Sequence, residues 1–357
     1  MIVSATRRAS LWILYSLTAV GVILIFELLL LPYRHGLPRD AFLMGFAAPP
    51  GSLVDDTPIN AMGFTGDMIS PRKPPNTIRI LTLGGSSMFN RRMTERLRDR
   101  LEKISTSPLE VLGAALRKHT STSSILKYTL LRKYRFDFVL IYHGINDLWA
   151  NHVSLADFRP DYSHLDAWYK RNLILDNCVT CRIIYNRWIY ARPPPRLMGD
   201  LSTFPSEQIF KRNIMKLIGA IREDGATPIL MSFAWNIPVD YTYEAFQSNS
   251  LGYRNPENYD RWPAELWGPP EYVREGLQRN NRIISELART EGVLLIDQET
   301  LMGKSLQWFG DPVHFSDEGV ERFIANIGEF FLAQGLFRPA SSEIDSWKSL
   351  PADPRGI

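Results

Sequence analysis

Hydrophobic and polar positions form regular blocks between Ile78 and Leu332. Short apolar runs rich in β-branched residues predict buried strands, and longer segments with apolar residues three or four positions apart predict helices. The predicted strands are 78–83, 108–112, 136–142, 228–233 and 293–296, and the predicted helices are 91–104, 123–134, 207–224, 271–290 and 317–332. This alternation indicates an α/β protein with a parallel sheet that helices cover on both faces.

The segment from Leu11 to Pro32 has a different pattern, because it is apolar almost throughout. It is long enough to span a bilayer core of about 30 Å. It exceeds the apolar core of a signal peptide, and no small-residue cleavage site follows it directly, so an uncleaved transmembrane helix is predicted. Arg7 and Arg8 precede it, and the slight excess of basic charge there favours a cytoplasmic amino terminus. The rest of the chain would then lie outside the cytoplasm, on the periplasmic or extracellular side.

These patterns predict the domain organisation of the chain. Its parts are a cytoplasmic amino terminus (1–10), a transmembrane anchor (11–32), a juxtamembrane lead-in (33–76), an α/β domain (77–338) and a carboxy-terminal tail (339–357). Insertions at 150–205 and 234–270 follow predicted strand ends. Both should therefore lie over the sheet edge where the strands end, and long loops there commonly determine substrate specificity.

The composition argues against several classes of function. Of 357 residues, 45% are hydrophobic and 22% are charged, as in ordinary globular proteins. The net charge of +3 is small and there is no basic stripe with interleaved aromatic residues, so no nucleic-acid partner is expected. No glycine-rich nucleotide-binding motif follows a predicted strand. Cys178 and Cys181 have no second pair that would complete a zinc site, which leaves a local disulfide or two unpaired thiols.

A candidate nucleophile lies in the turn Gly84-Gly85-Ser86-Ser87, between a predicted strand and a predicted helix. Open α/β sheets place their chemistry at such carboxyl ends of strands. A serine there can attack a carbonyl group, and its amide can help bind the resulting oxyanion. The alternative for Ser86 is structural, because serine often caps helices and glycine is common in turns.

Later segments offer chemical partners for this serine. Asp311 lies three residues before His314, so its carboxylate can orient one ring nitrogen while the other faces a nucleophile. Asn146 follows the third predicted strand, beside the first in a doubly wound order, and its amide can donate to an oxyanion. Each has a structural alternative, a helix start for Asp311 and His314 and a turn for Asn146. His143 has no acid spaced to orient it, and we interpret it as a core histidine.

Three blocks, Gly84-Gly85-Ser86, Gly144-Ile145-Asn146-Asp147 and Asp311-Pro312-Val313-His314, together resemble the SGNH (GDSL-like) hydrolase superfamily, in its membrane-anchored bacterial type. The resemblance covers about residues 60–333. It implies a three-layer α/β/α sandwich with a five-stranded parallel, flavodoxin-like sheet. It also implies ester hydrolysis or acyl transfer without a metal or other cofactor.

The resemblance also implies roles for individual residues. Ser86 would be the nucleophile, His314 the general base and then the general acid, and Asp311 the partner that orients His314. The Ser86 amide and Asn146 would form parts of the oxyanion hole. Ser87 is the less expected nucleophile, because the serine of the family directly follows the glycine pair or the glycine and acid.

The sequence departs from the family pattern at two positions. Gly85 replaces the usual acid between glycine and serine, which is a known variation in anchored members. Lys118 stands where a glycine amide normally completes the oxyanion hole. Its amide could still donate only if a residue with a Cβ tolerates the backbone conformation there. Activity could therefore be reduced, redirected or lost.

Trp149 and Trp308 flank these blocks and are candidates for substrate binding, with core packing as the alternative. The leading hypothesis is a membrane-anchored serine esterase or deacylase that acts on an O-acyl ester, such as an acetyl group, of a small molecule or an envelope glycan. An O-acyltransferase with the same residues is one alternative. A catalytically inactive envelope scaffold is the other, and Lys118 motivates it.

Overall fold

The computed structural model describes residues 50–54, 57–166, 201–254 and 267–337, together with scattered residues between 12 and 48. The chain divides into two compact units, Met1–Phe42 with Asp166–Arg196 and Leu43–Leu165 with Leu197–Ile357. In the first unit, the described residues between 12 and 25 are helical and mostly exposed. The candidate site belongs to the second unit.

The helices and strands have the following bounds. The strands are β1 (Leu53–Val54), β2 (Thr57–Pro58), β3 (Thr65–Gly66), β4 (Ile78–Gly84), β5 (Leu109–Gly113), β6 (Phe138–Tyr142), β7 (Thr227–Met231) and β8 (Leu294–Ile296). The α-helices are α1 (Met93–Glu102), α2 (Ser121–Leu131), α3 (Ile145–Trp149), α4 (Ser163–Asp166), α5 (Ser206–Glu223), α6 (Tyr243–Gln247), α7 (Pro270–Glu291), α8 (Gln298–Met302) and α9 (Asp317–Ala333). Short 3-10 turns are Ser86–Met88, Arg132–Tyr134 and Leu306–Trp308.

The central sheet has the strand order β3-β5-β4-β6-β7-β8. The five strands from β5 to β8 in this order are parallel, with Ile80 beside Val111 on one side and Phe138 on the other. They are the five strands that the sequence predicts, in a doubly wound order with β6 beside β4. The short strand β3 adds an antiparallel edge and makes the sheet mixed. The sequence does not predict β3, because two residues are too few for an alternating pattern.

Helices cover both faces of the sheet, because side chains alternate along each strand. Leu81 and Ile141 belong to a buried core shared with α2, α5 and α7. On the opposite face, Phe138 packs edge-to-face on Phe331 of α9, with ring centroids 5.2 Å apart. This three-layer arrangement keeps the strand ends free for loops that carry polar side chains.

The described part of the lead-in packs on the second unit. Phe64 is 1% exposed and belongs to the core, and the Asn60 side chain accepts hydrogen bonds from the N–H groups of Met62 and Phe64. A Cβ at Gly113 would lie 2.1 Å from the hydroxyl of Thr65 in β3, so only glycine allows this close approach of β3 to β5.

Several predicted features fall mostly or wholly outside the described residues. They are the anchor at 11–32, much of the two insertions, the cysteines Cys178 and Cys181, and the tail at 339–357. Among the helices that the structure describes, none combines the length and the apolar character that crossing a membrane requires. The membrane anchor stays a prediction.

Candidate active site

Ser86 lies at the carboxyl end of the central strand β4, in the short 3-10 turn that follows Gly85. Its Oγ atom is 2.7 Å from Nε2 of His314. The hydroxyl of Ser87 has another partner, since it donates to the carbonyl oxygen of Val313 at 2.9 Å. The structure therefore brings Ser86, and not Ser87, to the histidine.

The ring of His314 is held between Ser86 and Asp311. Its Nδ1 atom is 2.7 Å from Oδ2 of Asp311, and both residues are buried. The other carboxylate oxygen of Asp311 accepts hydrogen bonds from the N–H groups of Val313 and His314, both at 2.8 Å. The carboxylate thus favours a proton on Nδ1 and leaves Nε2 as the acceptor for the serine proton.

Residues of the second insertion support the loop that carries Asp311 and His314. The N–H of Asn236 donates to the carbonyl of Pro312 at 2.8 Å, and the hydroxyl of Tyr253 donates to the carbonyl of Asn236 at 2.6 Å. Sequence reasoning missed both residues. Backbone contacts between segments far apart in the chain leave no local signal that could have revealed them.

Asn146 lies in the first turn of α3, where the sequence suggested either a loop or a turn. Its side-chain amide donates to the carbonyl of His119 at 3.0 Å. A Cβ at Gly85 would lie 2.4 Å from this amide nitrogen, closer than such contacts allow. Glycine at position 85 therefore makes room for the Asn146 amide next to Ser86, and the amide nitrogen has a second hydrogen that can serve an oxyanion.

Lys118 adopts the left-handed backbone conformation, with φ of 61°. This conformation costs residues with a Cβ roughly 1–2 kcal/mol and suits glycine, which is the residue that the family places here. The next residue, His119, is the one whose carbonyl contacts Asn146. The structure thus places Lys118 in the segment beside Asn146 with a glycine-like backbone.

A buried carboxylate joins the two segments that carry Asn146 and Lys118. Asp147 in α3 is 0% exposed and accepts hydrogen bonds from the N–H and the hydroxyl of Ser121, the first residue of α2. Burial raises the pKa of Asp147 to about 6, although hydrogen bonds from Ser121 and Tyr162 oppose the shift. Asp147 was quoted in the sequence motif, but its contact with α2 was not foreseen.

His143 is a core histidine, as its sequence context suggested. It is buried, and its Nε2 atom lies 2.7 Å from the hydroxyl of Ser124. Burial, aided by the nearby charge of Lys127, lowers the pKa of His143 to about 3. A ring that stays neutral and turned toward α2 does not compete with His314 as the base.

The two predicted substrate-binding tryptophans lie in different surroundings. Trp149 is buried at the end of α3, and the ammonium group of Lys118 lies 5.7 Å from the centroid of its ring. Trp308 is partly buried in a 3-10 turn, and its carbonyl accepts a hydrogen bond from the N–H of Ser316 at the start of α9. A substrate-binding role for either residue stays a prediction. In the part of the chain that the structure describes, no cluster of three or more potential ligands could hold a metal ion.

A mixed α/β sheet covered by helices, with serine, histidine and aspartate in hydrogen-bonded series at its carboxyl edge, defines the class of α/β serine hydrolases. Within that class, the chain belongs to the GDSL-like lipase/acylhydrolase family, whose model matches residues 81–322. It is therefore an ester hydrolase of the SGNH superfamily, as the sequence motifs suggested.

Solved structures with related folds have low sequence identity to this chain. A GDSL-like lipase from Bacteroides thetaiotaomicron is 14% identical, with a TM-score of 0.40, over 72% of this chain and 88% of its own. A lipase/acylhydrolase from Enterococcus faecalis is 16% identical, with a TM-score of 0.41, over 74% of this chain and 100% of its own. An acetylxylan esterase from Geobacillus stearothermophilus is 12% identical, with a TM-score of 0.42, over 74% of this chain and 97% of its own. Among curated proteins, none matches the chain significantly.

Proposed function

We propose that this protein is a serine esterase that removes an O-acyl group through an acyl-enzyme formed on Ser86. The observation that carries the proposal is the pair of 2.7 Å contacts from Ser86 Oγ to His314 Nε2 and from His314 Nδ1 to Asp311 Oδ2. A buried carboxylate, a histidine and a serine in this series form an activated nucleophile.

The reaction has two halves. In acylation, His314 takes the proton of Ser86 as the serine oxygen attacks the ester carbonyl carbon. The oxyanion accepts hydrogen bonds from the amides of Ser86 and Lys118 and from the side chain of Asn146, and one such donor is worth about 3–4 kcal/mol. The intermediate collapses, His314 protonates the departing alcohol, and the acyl group remains on Ser86. In deacylation, His314 activates water in the same way, and the carboxylic acid is released.

The substrate and location extend this proposal. The apolar segment 11–32 supports a single transmembrane anchor with the catalytic domain outside the cytoplasm. An enzyme held there would act on an acylated small molecule or on an acyl group, such as acetyl, of an envelope glycan. If a sugar hydroxyl replaced water in the second half-reaction, the same residues would transfer the acyl group. Free carboxylic acid and acylated acceptor distinguish the two outcomes.

Labelling with a fluorophosphonate tests the nucleophile directly. We expect the wild-type protein to be labelled, and labelling to be lost in Ser86→Ala and strongly reduced in His314→Ala, because only a serine with a general base attacks the probe readily. Ser87→Ala is the matched control and should keep the label, since the Ser87 hydroxyl contacts Val313 and not His314. Peptide mass spectrometry would locate the adduct. A folded wild-type protein that takes no label would contradict the esterase proposal and favour a non-catalytic scaffold.

A further inference from the structure

The side chain of Lys118 stands where the family pattern has no side chain at all. We infer that its ammonium group makes the site selective for esters that carry an anionic group, a carboxylate or a phosphate, beside the scissile bond. This inference rests on the proposed esterase function and specifies its substrate class.

A continuous set of contacts leads from the nucleophile to Lys118. Gly85 precedes Ser86, and the Asn146 amide nitrogen lies 2.4 Å from where a Cβ of Gly85 would be. The same amide donates to the carbonyl of His119 at 3.0 Å. Lys118 is the residue before His119, so its side chain begins beside the place where the ester carbonyl must bind.

The side chain of Lys118 is held on the helix that also carries Asn146. Its Nζ atom lies 5.7 Å from the ring centroid of Trp149, within the range of a cation–π interaction. Trp149 follows Asn146 by three residues in α3 and is buried, whereas Lys118 is partly exposed. The aromatic ring therefore holds a positive charge at a position that solvent can reach.

The carboxylates of the neighbouring site segments are engaged elsewhere. Asp147 is fully buried and accepts hydrogen bonds from Ser121, and Asp311 accepts from His314 and Val313. Because these carboxylates serve other donors, the ammonium group of Lys118 gives the entrance of the site a local positive potential. Such a potential attracts a negatively charged substrate and is weakened by salt.

Three O-acetylated methyl glycosides that differ in charge test the inference: a galactoside, a galacturonide and a galactoside 6-phosphate. We expect the full-length wild-type protein to favour at least one anionic ester over the neutral ester by about tenfold in kcat/KM, a size that one partly exposed ion pair supports. Lys118→Met should reduce this preference to about onefold, Lys118→Arg should restore it, and added salt should weaken it.

The chain offers a matched control in Lys133. Its Nζ atom also lies over an aromatic ring, 5.3 Å from the centroid of Tyr134, but it precedes β6 and so lies at the opposite end of that strand from Asn146. Lys133→Met should keep the wild-type preference. If Lys118→Met changes the rates of all three esters by the same factor, the inference is wrong and Lys118 acts only through its backbone or its packing.

Binding separates the failure of this inference from the failure of the esterase proposal. Affinities of the same three esters for Ser86→Ala, with and without Lys118→Met, can be measured by calorimetry. Selective binding of anionic esters that depends on Lys118, in a protein without turnover or labelling, would support the inference and contradict the esterase. Turnover without selectivity for charge would do the reverse. The arm that binds more tightly identifies the anion as carboxylate or phosphate.

Discussion

The side chain that Gly85 lacks decides where the Asn146 amide can lie. The space that a Cβ would need is occupied by this amide, at 2.4 Å. The usual acid of the family cannot simply be restored at position 85, because its Cβ would push away the candidate oxyanion donor. The departure from the motif is thus tied to the geometry of the site.

We therefore predict that Gly85→Ala lowers kcat about as much as Asn146→Ala does, by about 10²–10³-fold, because both remove the same donor. The double variant should be little worse than either single variant, since the two effects are coupled. Hydrolysis of p-nitrophenyl acetate measures all three. Gly219→Ala in α5 is the control, because a Cβ there meets nothing within 4 Å. Additive losses would show that Gly85 acts independently of Asn146.

A second residue-scale prediction concerns pH and stability. Because burial lowers the pKa of His143 from 6.5 to about 3, the unfolded chain takes up a proton in this interval that the folded chain does not. The free energy of unfolding should therefore fall as pH decreases from 6.5 toward 3, by up to about 1.4 kcal/mol per pH unit from this residue. His143→Gln should remove that contribution, which urea denaturation at several pH values would show.

Asp147 provides a comparison of opposite sign. Its pKa is raised from 3.8 to about 6, so its contribution to stability decreases as pH increases through this interval. Asp147→Asn should remove that decrease, and it should change the slope of stability against pH in the direction opposite to His143→Gln. Slopes that change in the same direction in the two variants would refute the assignment of both shifts to burial.

At the scale of elements, the sequence predicted the parallel strands and the main helices of the second unit to within about three residues. Continuous apolar runs and helical periodicity suffice for that, because they reflect burial along one segment. The five-residue helix α3 was not foreseen, since its Gly-Ile-Asn-Asp motif is equally typical of a turn. The contacts of Asp147 with α2 and of Asn236 with the Asp311 loop were also missed, because they depend on how distant segments meet.

At the scale of the whole molecule, the lead-in is part of the folded second unit. Phe64 and Ile69 belong to the hydrophobic core, and β3 completes one sheet edge. We predict that a chain starting at residue 77 is less stable than one starting at residue 47 by several kcal/mol, because burying each such side chain contributes about 1.5–3 kcal/mol. Each kcal/mol corresponds to about 2–4 °C in Tm, so thermal unfolding would resolve the difference.

Phe64→Ala in the longer chain isolates one contact and should cost about 3–5 kcal/mol. An equal Tm for the two chain lengths would instead indicate that the lead-in is a free tether that merely rests on the domain.

The hydrogen bond between Ser86 and His314 joins residues 228 positions apart. The nucleophile is synthesised early and its base near the end, so a ribosome-bound chain carries Ser86 for most of translation without the group that activates it. Contacts between such distant positions also form late in folding, because a long loop must close first. Proteolytic fragments that lack the carboxy-terminal helix α9 and the loop before it would be equally inert. Esterase activity is thereby confined to chains that have been completed and folded.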